Sequence, residues 1–284
     1  MLKFADLFAG IGGFHLALSR SGFECAFVSE INDNARKTYA ANFPTSVEKL
    51  TRRGHFVGDI TLVDKQSVPK VDLVTAGFPC QPFSQAGRKL GFEDTRGTLF
   101  FEIAELIQAV QPKAYFLENV RNLDSHDGGR TIKTIQSVLG GDLGYSFQKF
   151  IVNAADHGVP QNRKRMFIIG FRDPSVFIDK PPPAPLQFDM SDILGGPVDK
   201  RIGHTLRVGG RRSGVADRRN WDSYLVEGVE KTLTPFQAKL MQGFPPDFAF
   251  PVSNNEAMKQ LGNSVAVPAV EAYGRQIRAA LGSF

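Results

Sequence analysis

The sequence predicts an α/β fold built on a mostly parallel, doubly wound sheet. Strand–turn–helix units repeat along the first half of the chain, a Gly-rich turn follows the first strand, and acids stand at successive strand ends. These acids are Asp6, Glu30 and Asp59. Carboxyl ends of parallel strands share one edge of a sheet, so the acids are expected to surround an adenosine-type ligand there.

The first unit begins with a strand from Phe4 and turns at glycines 10, 12 and 13. Glycine permits positive φ and close approach of a ligand, and a helix is predicted from Gly12 to Ser19. The Gly-x-Gly-Gly spacing lacks the full dinucleotide fingerprint, so it is weak support for a nicotinamide site. The second strand ends at Glu30, where an acid can accept both ribose hydroxyls or cap the following helix.

The stretch Gly77-Phe78-Pro79-Cys80-Gln81-Pro82-Phe83-Ser84 is the most informative of the chain. It follows an apolar run, residues 71–76, that is typical of a buried strand. The prolines on either side of Cys80 restrict the turn. A buried packing cysteine would not need such a turn, so the pattern favours a nucleophile at a strand end over a small apolar side chain.

The elements after Cys80 continue the pattern. Residues 81–97 are polar, Gly-punctuated and aperiodic, which indicates a functional loop. Helices are predicted over 34–42, 98–110, 131–139, 234–243 and 267–281, and strands over 24–29, 56–60, 114–117, 147–152 and 166–170. The strand at 114–117 leads into Glu118, and Arg163 and Arg165 enter the strand at 166 on one face.

A proline cluster at 181–185 breaks this pattern and marks a domain boundary. The predicted larger domain comprises residues 1–178 and 256–284, and the smaller one comprises 179–255, with no helix signal from 186 to about 230. Within the smaller domain, residues 200–220 carry a net charge of +6, against +5 for the whole chain. A local basic segment is expected either to contact a polyanion or to be a solvated face.

Two cysteines without metal or disulfide spacing fit a reducing compartment, and structural zinc is not expected. We find no apolar stretch long enough to span a bilayer and no signal peptide. The expected location is the cytoplasm.

Six blocks of the sequence resemble, in order, the motifs of bacterial cytosine-5 DNA methyltransferases of the restriction-modification type. The blocks are Asp6 to Phe14, Gly77 to Ser84, Glu118 to Val120, Gln161 to Arg165, Leu233 to Pro245, and Gly262 to Val265. Any single block could arise by chance, whereas the ordered set is specific. The resemblance runs from Phe4 to about Ala272, except around 172–225, where the family is variable.

The resemblance implies a Rossmann-like S-adenosylmethionine-dependent methyltransferase fold with a smaller, irregular target-recognition domain and a DNA cleft between the two. The residues that it assigns to S-adenosylmethionine, and to the product S-adenosylhomocysteine, are Phe8, Gly10, Gly12, Glu30, Ile31, Asp59, Ile60, Pro79, Leu99 and Asn263. Glu30 would hold the ribose, Ile31 would pack on the adenine, and Asp59 with Ile60 would read the adenine edge. Ile31 replaces a frequent aromatic residue, which weakens stacking.

The resemblance also implies the chemistry. The thiolate of Cys80 would add to carbon 6 of cytosine and so make carbon 5 nucleophilic. Glu118 would protonate or hydrogen-bond ring nitrogen 3, which predicts a raised carboxyl pKa. Arg165, with Arg163, would orient the base and stabilise developing negative charge. For Arg163, contact with a backbone phosphate is the alternative. The base that removes the carbon-5 proton is not identified.

The implied substrate is double-stranded DNA whose target nucleotide is flipped out, with residues 81–97 closing over it. The residues expected to bind DNA are Ser84, Gln85, Arg88, Arg207, Arg211 and Arg212. Arginines of the basic segment either read guanine or grip phosphate. A monomer is expected, with a cognate restriction endonuclease as a separate partner. A bacterium or phage is the expected source.

Two other functions are compatible with parts of the pattern. A tRNA cytosine-5 methyltransferase shares the catalytic blocks, but its Cys-Phe-Thr signature is absent because no cysteine follows Cys80. A non-catalytic DNA-binding homologue would not need Cys80, Glu118 and both arginines.

Overall fold

The computed structural model describes residues 1–79, 99–210 and 212–282. Its centre is a seven-stranded sheet in the order β3-β2-β1-β4-β5-β7-β6. The strands are β1 Leu2–Leu7, β2 Phe23–Ser29, β3 Phe56–Val57, β4 Leu73–Gly77, β5 Ala114–Val120, β6 Gln148–Asn153 and β7 Lys164–Phe171. Strands β1 to β5 are parallel, and β7 is antiparallel to both of its neighbours. The predicted Rossmann-like, mostly parallel sheet is confirmed.

Helices cover both faces of this sheet. They are α1 Gly13–Arg20, α2 Asp33–Asn42, α3 Pro44–Arg52, α4 Leu99–Val110, α5 Arg130–Gln136, α6 Met190–Leu194, α7 Pro235–Met241, α8 Asn254–Asn263 and α9 Val267–Gly282. Side chains alternate along each strand, so neighbours face different layers. Phe4 accordingly belongs to the hydrophobic cluster that contains α1 and α9, whereas Ala5 belongs to the cluster that contains α4.

The strand order reverses between β1 and β4. Connections from β1 run through β2 to β3 on one side, whereas β4 and β5 lie on the other. Such a reversal leaves a crevice at the carboxyl ends of the two central strands, where open α/β sheets bind ligands. Here those ends lead into Phe8 and into Phe78, so the Gly-rich turn and the segment before Cys80 are brought together at one edge.

The segment between β7 and α8 contains a hairpin of β8 Ser223–Val226 and β9 Val229–Thr232. Its buried residues Trp221 and Tyr224 share a hydrophobic cluster with Phe244 and Leu261. This cluster also includes the buried side chains of α1 and α9, so the hairpin region is packed continuously onto the rest of the chain.

Several elements differ from the sequence predictions. Helices α3 and α8 were not predicted, and the strand expected over 56–60 ends at Val57 because Asp59 caps a 3-10 turn, Ile60–Leu62. Helix α6 lies in the segment where no helix was expected. It has five residues and a capping box from Asp189 to Asp192, too few for a period to show in the sequence. No helix of the described residues is long and apolar enough to cross a membrane.

Candidate active site

Glu118 lies at the carboxyl end of β5, beside the end of β4. Gly77 and Glu118 are register partners in the two parallel strands. A Cβ at Gly77 would stand 3.5 Å from Glu118 Oε2, so the carboxyl group extends over the backbone of Gly77. The sheet therefore places Glu118 next to the chain that continues into Cys80.

Arg165 pairs with this carboxyl group from the antiparallel strand β7. Arg165 Nε lies 2.9 Å from Glu118 Oε1. Burial nevertheless raises the pKa of Glu118, because loss of hydration outweighs the opposing charges of Arg165 and Arg163. The buried carboxyl group is thereby biased towards its protonated form while held in a fixed orientation.

Asn119 fixes the backbone that leads to Cys80. Its Nδ2 donates to the carbonyl of Phe78 over 2.9 Å, and its Oδ1 accepts from Val120 N over 2.8 Å. Pro79 follows and is exposed. The predictions for Cys80, Ser84, Gln85, Arg88 and the loop 81–97 fall outside the described residues.

The position of Arg163 does not fit the predicted role of orienting the base. It precedes β7, is 2% exposed, and donates to three carbonyls: Nη1 to Leu206 O at 3.1 Å, and Nη2 to Gly262 O at 2.9 Å and Ser264 O at 2.5 Å. Its terminal nitrogens are thus engaged within the protein. Its burial also argues against the alternative of a phosphate contact.

The Gly-rich turn forms a cradle at the end of β1. Phe8 has φ 54°, Gly10 φ 56° and Gly12 φ 89°, all in the left-handed region. A Cβ at Gly10 would meet nothing within 4 Å, whereas one at Gly12 would overlap the ring of Phe43. The turn is therefore open above Gly10 and closely packed below Gly12.

Glu30 joins this cradle from the end of β2. Its two carboxyl oxygens accept from Gly10 N and Asn32 N, each over 2.7 Å. Ile31 beside it is 67% exposed. An exposed apolar side chain next to an oriented carboxylate is a suitable surface for an adenosine-like ligand.

The remaining predicted cofactor residues differ in exposure. Asp59 Oδ1 accepts from Thr61 N over 2.9 Å. The side chain of Ile60 is buried, so only the backbone of Ile60 can contact a ligand. Leu99 is half-buried at the start of α4, and Asn263 is exposed at the end of α8. The block containing Asn263 packs on the cradle, because a Cβ at Gly13 would lie 3.0 Å from Ser264 Oγ.

The comparison with known families identifies the chain. Residues 2–195 and 196–279 match the family described as C-5 cytosine-specific DNA methylase. The chain belongs to this family.

Curated relatives of this methylase share most of its length. Type II methyltransferase M.HpaII of Haemophilus parainfluenzae is 42% identical, covering 99% of this chain and 90% of the relative. Type II methyltransferase M.HhaI of Haemophilus parahaemolyticus is 33% identical, covering 94% of this chain and 91% of the relative. The resemblance inferred from the six blocks is confirmed.

Solved structures agree on the architecture. DNMT2 of Spodoptera frugiperda has a TM-score of 0.72 at 18% identity, covering 99% of this chain and all of the other. The methyltransferase EhMeth of Entamoeba histolytica has a TM-score of 0.71 at 17% identity, covering 99% of each chain. At these identities the likeness shows the fold alone.

Two of the predicted DNA-binding arginines of this methylase lie on its surface. Arg207 and Arg212 are exposed, and Arg212 N donates to the carboxylate of Asp222 over 3.1 Å. Arg211 lies outside the described residues. The backbone of Arg207 packs against Gly262, where an added Cβ would lie 2.6 Å from the carbonyl carbon of Arg207.

Three features of the site were not found from the sequence. Asn119 was noted only as part of a block. Asp6, interpreted as a strand-end acid near the ligand, is fully buried within β1, and burial raises its pKa to about 7. Lys65 Nζ pairs with Glu102 Oε2 at 2.7 Å and donates to Ile60 O at 2.7 Å, which ties the Asp59 segment to α4. A single polar residue in a strand, helix or turn has no sequence period of its own, so these hydrogen-bond and ion-pair partners were not evident.

Proposed function

We propose that this methylase transfers a methyl group from S-adenosylmethionine to carbon 5 of a flipped-out cytosine in a specific double-stranded DNA sequence. We further propose that the reaction passes through a Cys80 adduct at carbon 6, and that the protein is the modification half of a restriction-modification system. The observation that carries the proposal is the ion pair of buried Glu118 with half-buried Arg165, beside the strand that leads into Cys80.

The cradle around Gly10 suits S-adenosylmethionine. The space above Gly10 is open, Glu30 presents a carboxylate for ribose hydroxyls, and exposed Ile31 offers an apolar face to an adenine. The bound cofactor would supply an electrophilic methyl group. Phe8, Gly12, Asp59, Ile60, Pro79, Leu99 and Asn263 are the other residues that we propose for cofactor binding.

The catalytic roles follow from the chemistry of cytosine. Carbon 5 becomes nucleophilic when a thiolate adds to carbon 6 and the resulting negative charge at nitrogen 3 is neutralised. Glu118 supplies that proton, since burial favours its protonated form. Arg165 holds the carboxyl group in a fixed orientation. After the methyl group is attached, loss of the carbon-5 proton allows the Cys80 thiolate to leave.

The substrate is bound through charge and by base flipping. The basic segment 200–220 supplies phosphate contacts, with Arg207, Arg211 and Arg212 as candidate DNA contacts. Extruding a nucleotide costs a few kcal/mol of stacking and pairing, which contacts in the pocket must offset. Ser84, Gln85 and Arg88 belong to the loop that we propose to close over the base.

The test uses tritiated S-adenosylmethionine with duplex DNA and, separately, tRNA. We expect wild-type protein to label DNA, Cys80→Ser to label neither, and Cys25→Ser to label DNA as wild type does. Cys25 is a matched control because it is the other cysteine and is buried, which raises its thiol pKa. Labelling of tRNA alone, or of neither substrate, would refute the proposal.

Duplex DNA containing 5-fluorocytosine tests the covalent step. Fluorine at carbon 5 cannot leave as a proton does, so the adduct should persist, and mass spectrometry should find it on the peptide containing Cys80. An adduct on another residue would overturn the assignment of the nucleophile.

A further inference from the structure

Arg163 lies where three parts of the protein meet. The segment Gln161–Arg163 precedes β7, residues 203–208 contain the exposed Arg207, and residues 262–264 end α8. One guanidinium group donates to a carbonyl of the second part and to two carbonyls of the third. We call residues 203–208 the recognition segment, since its exposed arginine is a proposed DNA contact.

The recognition segment is attached to the catalytic part by further bonds around Arg163. Asn162 N donates to Gly203 O and Gly203 N donates to Pro160 O, each over 2.9 Å. The hydroxyl of Thr205 donates to Asn162 O. A displacement of this segment by DNA would therefore pull directly on the backbone entering β7.

The other end of this connection is the catalytic carboxyl group. Arg165 follows Arg163 by two residues and pairs with Glu118. The charge of Arg163 also acts on Glu118, where it opposes the effect of burial on the carboxyl pKa. Any movement of the guanidinium group thus changes both the field at Glu118 and the backbone that carries Arg165.

We propose that Arg163 is a positioning residue that couples the recognition segment to Glu118, so that correct seating of DNA sets the geometry of the catalytic pair. This inference rests on the proposed function. It assigns Arg163 a part in discriminating between cognate and mismatched DNA, beyond holding the fold together. A rigid element touched by both sites is the physical requirement for such coupling.

The test compares Arg163→Lys with wild type on cognate and singly mismatched duplexes. Lysine keeps the charge, but its single ammonium group cannot span carbonyls on both neighbouring segments. We expect the ratio of kcat/KM values for cognate over mismatched DNA to fall by about fivefold or more, the lower range of site-to-site coupling. At saturating S-adenosylmethionine this ratio is independent of cofactor affinity, which Arg163→Lys can change through Asn263, the residue between the carbonyls of Gly262 and Ser264.

Lys239→Met is the matched control. Lys239 is also buried and also donates to backbone carbonyls, those of Pro246 and Phe248, in the same part of the structure. Among the described residues, neither carbonyl that it binds belongs to the recognition segment or to residues 262–264. We expect this variant to lose stability without a change in the cognate-to-mismatch ratio.

Thr205→Val keeps the test decisive if Arg163→Lys does not fold. This substitution preserves the shape of the side chain but removes the hydroxyl that holds the recognition segment to Asn162. The same fall in discrimination is expected. When Arg163→Lys or Thr205→Val is combined with Arg207→Ala, the change in the cognate-to-mismatch ratio should differ from the product of the changes that the two single substitutions cause.

Equal loss on cognate and mismatched DNA, or strict additivity with Arg207→Ala, would overturn the coupling. Failure of wild-type protein to methylate DNA would instead refute the proposed function, so the two failures are distinguishable.

Discussion

Arg165 Nε lies 2.9 Å from Glu118 Oε1 across the antiparallel pairing of β5 and β7. The pair brings a positive group to a carboxyl group whose pKa is nonetheless raised, because burial dominates. The arginine therefore orients the carboxyl group without forcing its ionisation. A general acid needs both conditions: a proton to give and a fixed direction in which to give it.

Replacing Glu118 by glutamine should lower methylation of DNA by about 10²–10⁴-fold, the usual contribution of a general acid. Because the pKa of Glu118 is raised, wild-type kcat should decline as the pH rises through the pKa of this carboxyl group. The residual activity of Glu118→Gln should not show this decline at alkaline pH. Steady-state kinetics across pH would measure both. Glu48→Gln, on the surface, is the control. An unchanged alkaline limb in Glu118→Gln would assign the titration to another group.

Alanine substitutions at Gly10 and Gly12 should have different effects. Both residues have positive φ, which costs alanine about 1–2 kcal/mol. At Gly12 the added Cβ also overlaps Phe43, so thermal unfolding should show the larger loss of stability there. At Gly10 the methyl group enters open space proposed for the cofactor, so calorimetry should show weaker binding of S-adenosylmethionine. Equal melting temperatures for both variants would contradict this account.

Asp6 should make stability depend on pH. Its Oδ1 accepts from Thr75 Oγ1 over 3.0 Å, and burial raises its pKa from 3.8 to about 7. The folded protein thus holds this proton more tightly than the unfolded chain. The resulting stability is complete below about pH 4 and is lost as pH rises through about 7.

Asp6→Asn should remove this dependence, which amounts to a few kcal/mol at about 1.4 kcal/mol per pKa unit. Urea unfolding at several pH values between 4 and 8 would measure the slope. Asp64→Asn is a matched control, since Asp64 is exposed and asparagine caps a helical turn about as well as aspartate. A slope retained in Asp6→Asn would show that other groups titrate.

Arg207→Ala tests whether the recognition segment reads bases. If Arg207 contacts a base, the change should cost about 1–3 kcal/mol on cognate DNA and relax the sequence preference. If it grips phosphate, binding should weaken on all sequences and the salt dependence should become shallower. Binding isotherms at several salt concentrations would separate these outcomes, with exposed Arg212→Ala as the comparison.

The succession of strands β1 to β7 along the chain was largely predictable, because short apolar runs alternate with helical segments. The direction of β7 was not, since a strand buried on both faces reads the same whether parallel or antiparallel. The environment of Asp6 was also not predictable from the sequence. Its place near the end of a strand suggested a ligand contact, yet its side chain lies inside the sheet layer next to Thr75.

Within the site, Glu118 and Arg165 were predictable because a family motif named them, and the structure shows them paired. The contacts of Arg163 were not, because its partners are backbone carbonyls at residues 206, 262 and 264, far along the chain. Every residue has a backbone carbonyl, so the sequence does not indicate which carbonyls accept a hydrogen bond from a side chain. The sequence thus indicates which side chains perform chemistry more readily than which ones hold distant segments together.

The contacts of Arg163 have an evolutionary consequence. Every carbonyl that it binds belongs to the main chain, which any amino acid supplies, so these bonds place no demand on which side chain stands at position 207. Substitutions there can alter which DNA sequence is preferred while the attachment to the catalytic pair survives. A methyltransferase could therefore evolve a preference for a new DNA sequence without changes in its catalytic residues.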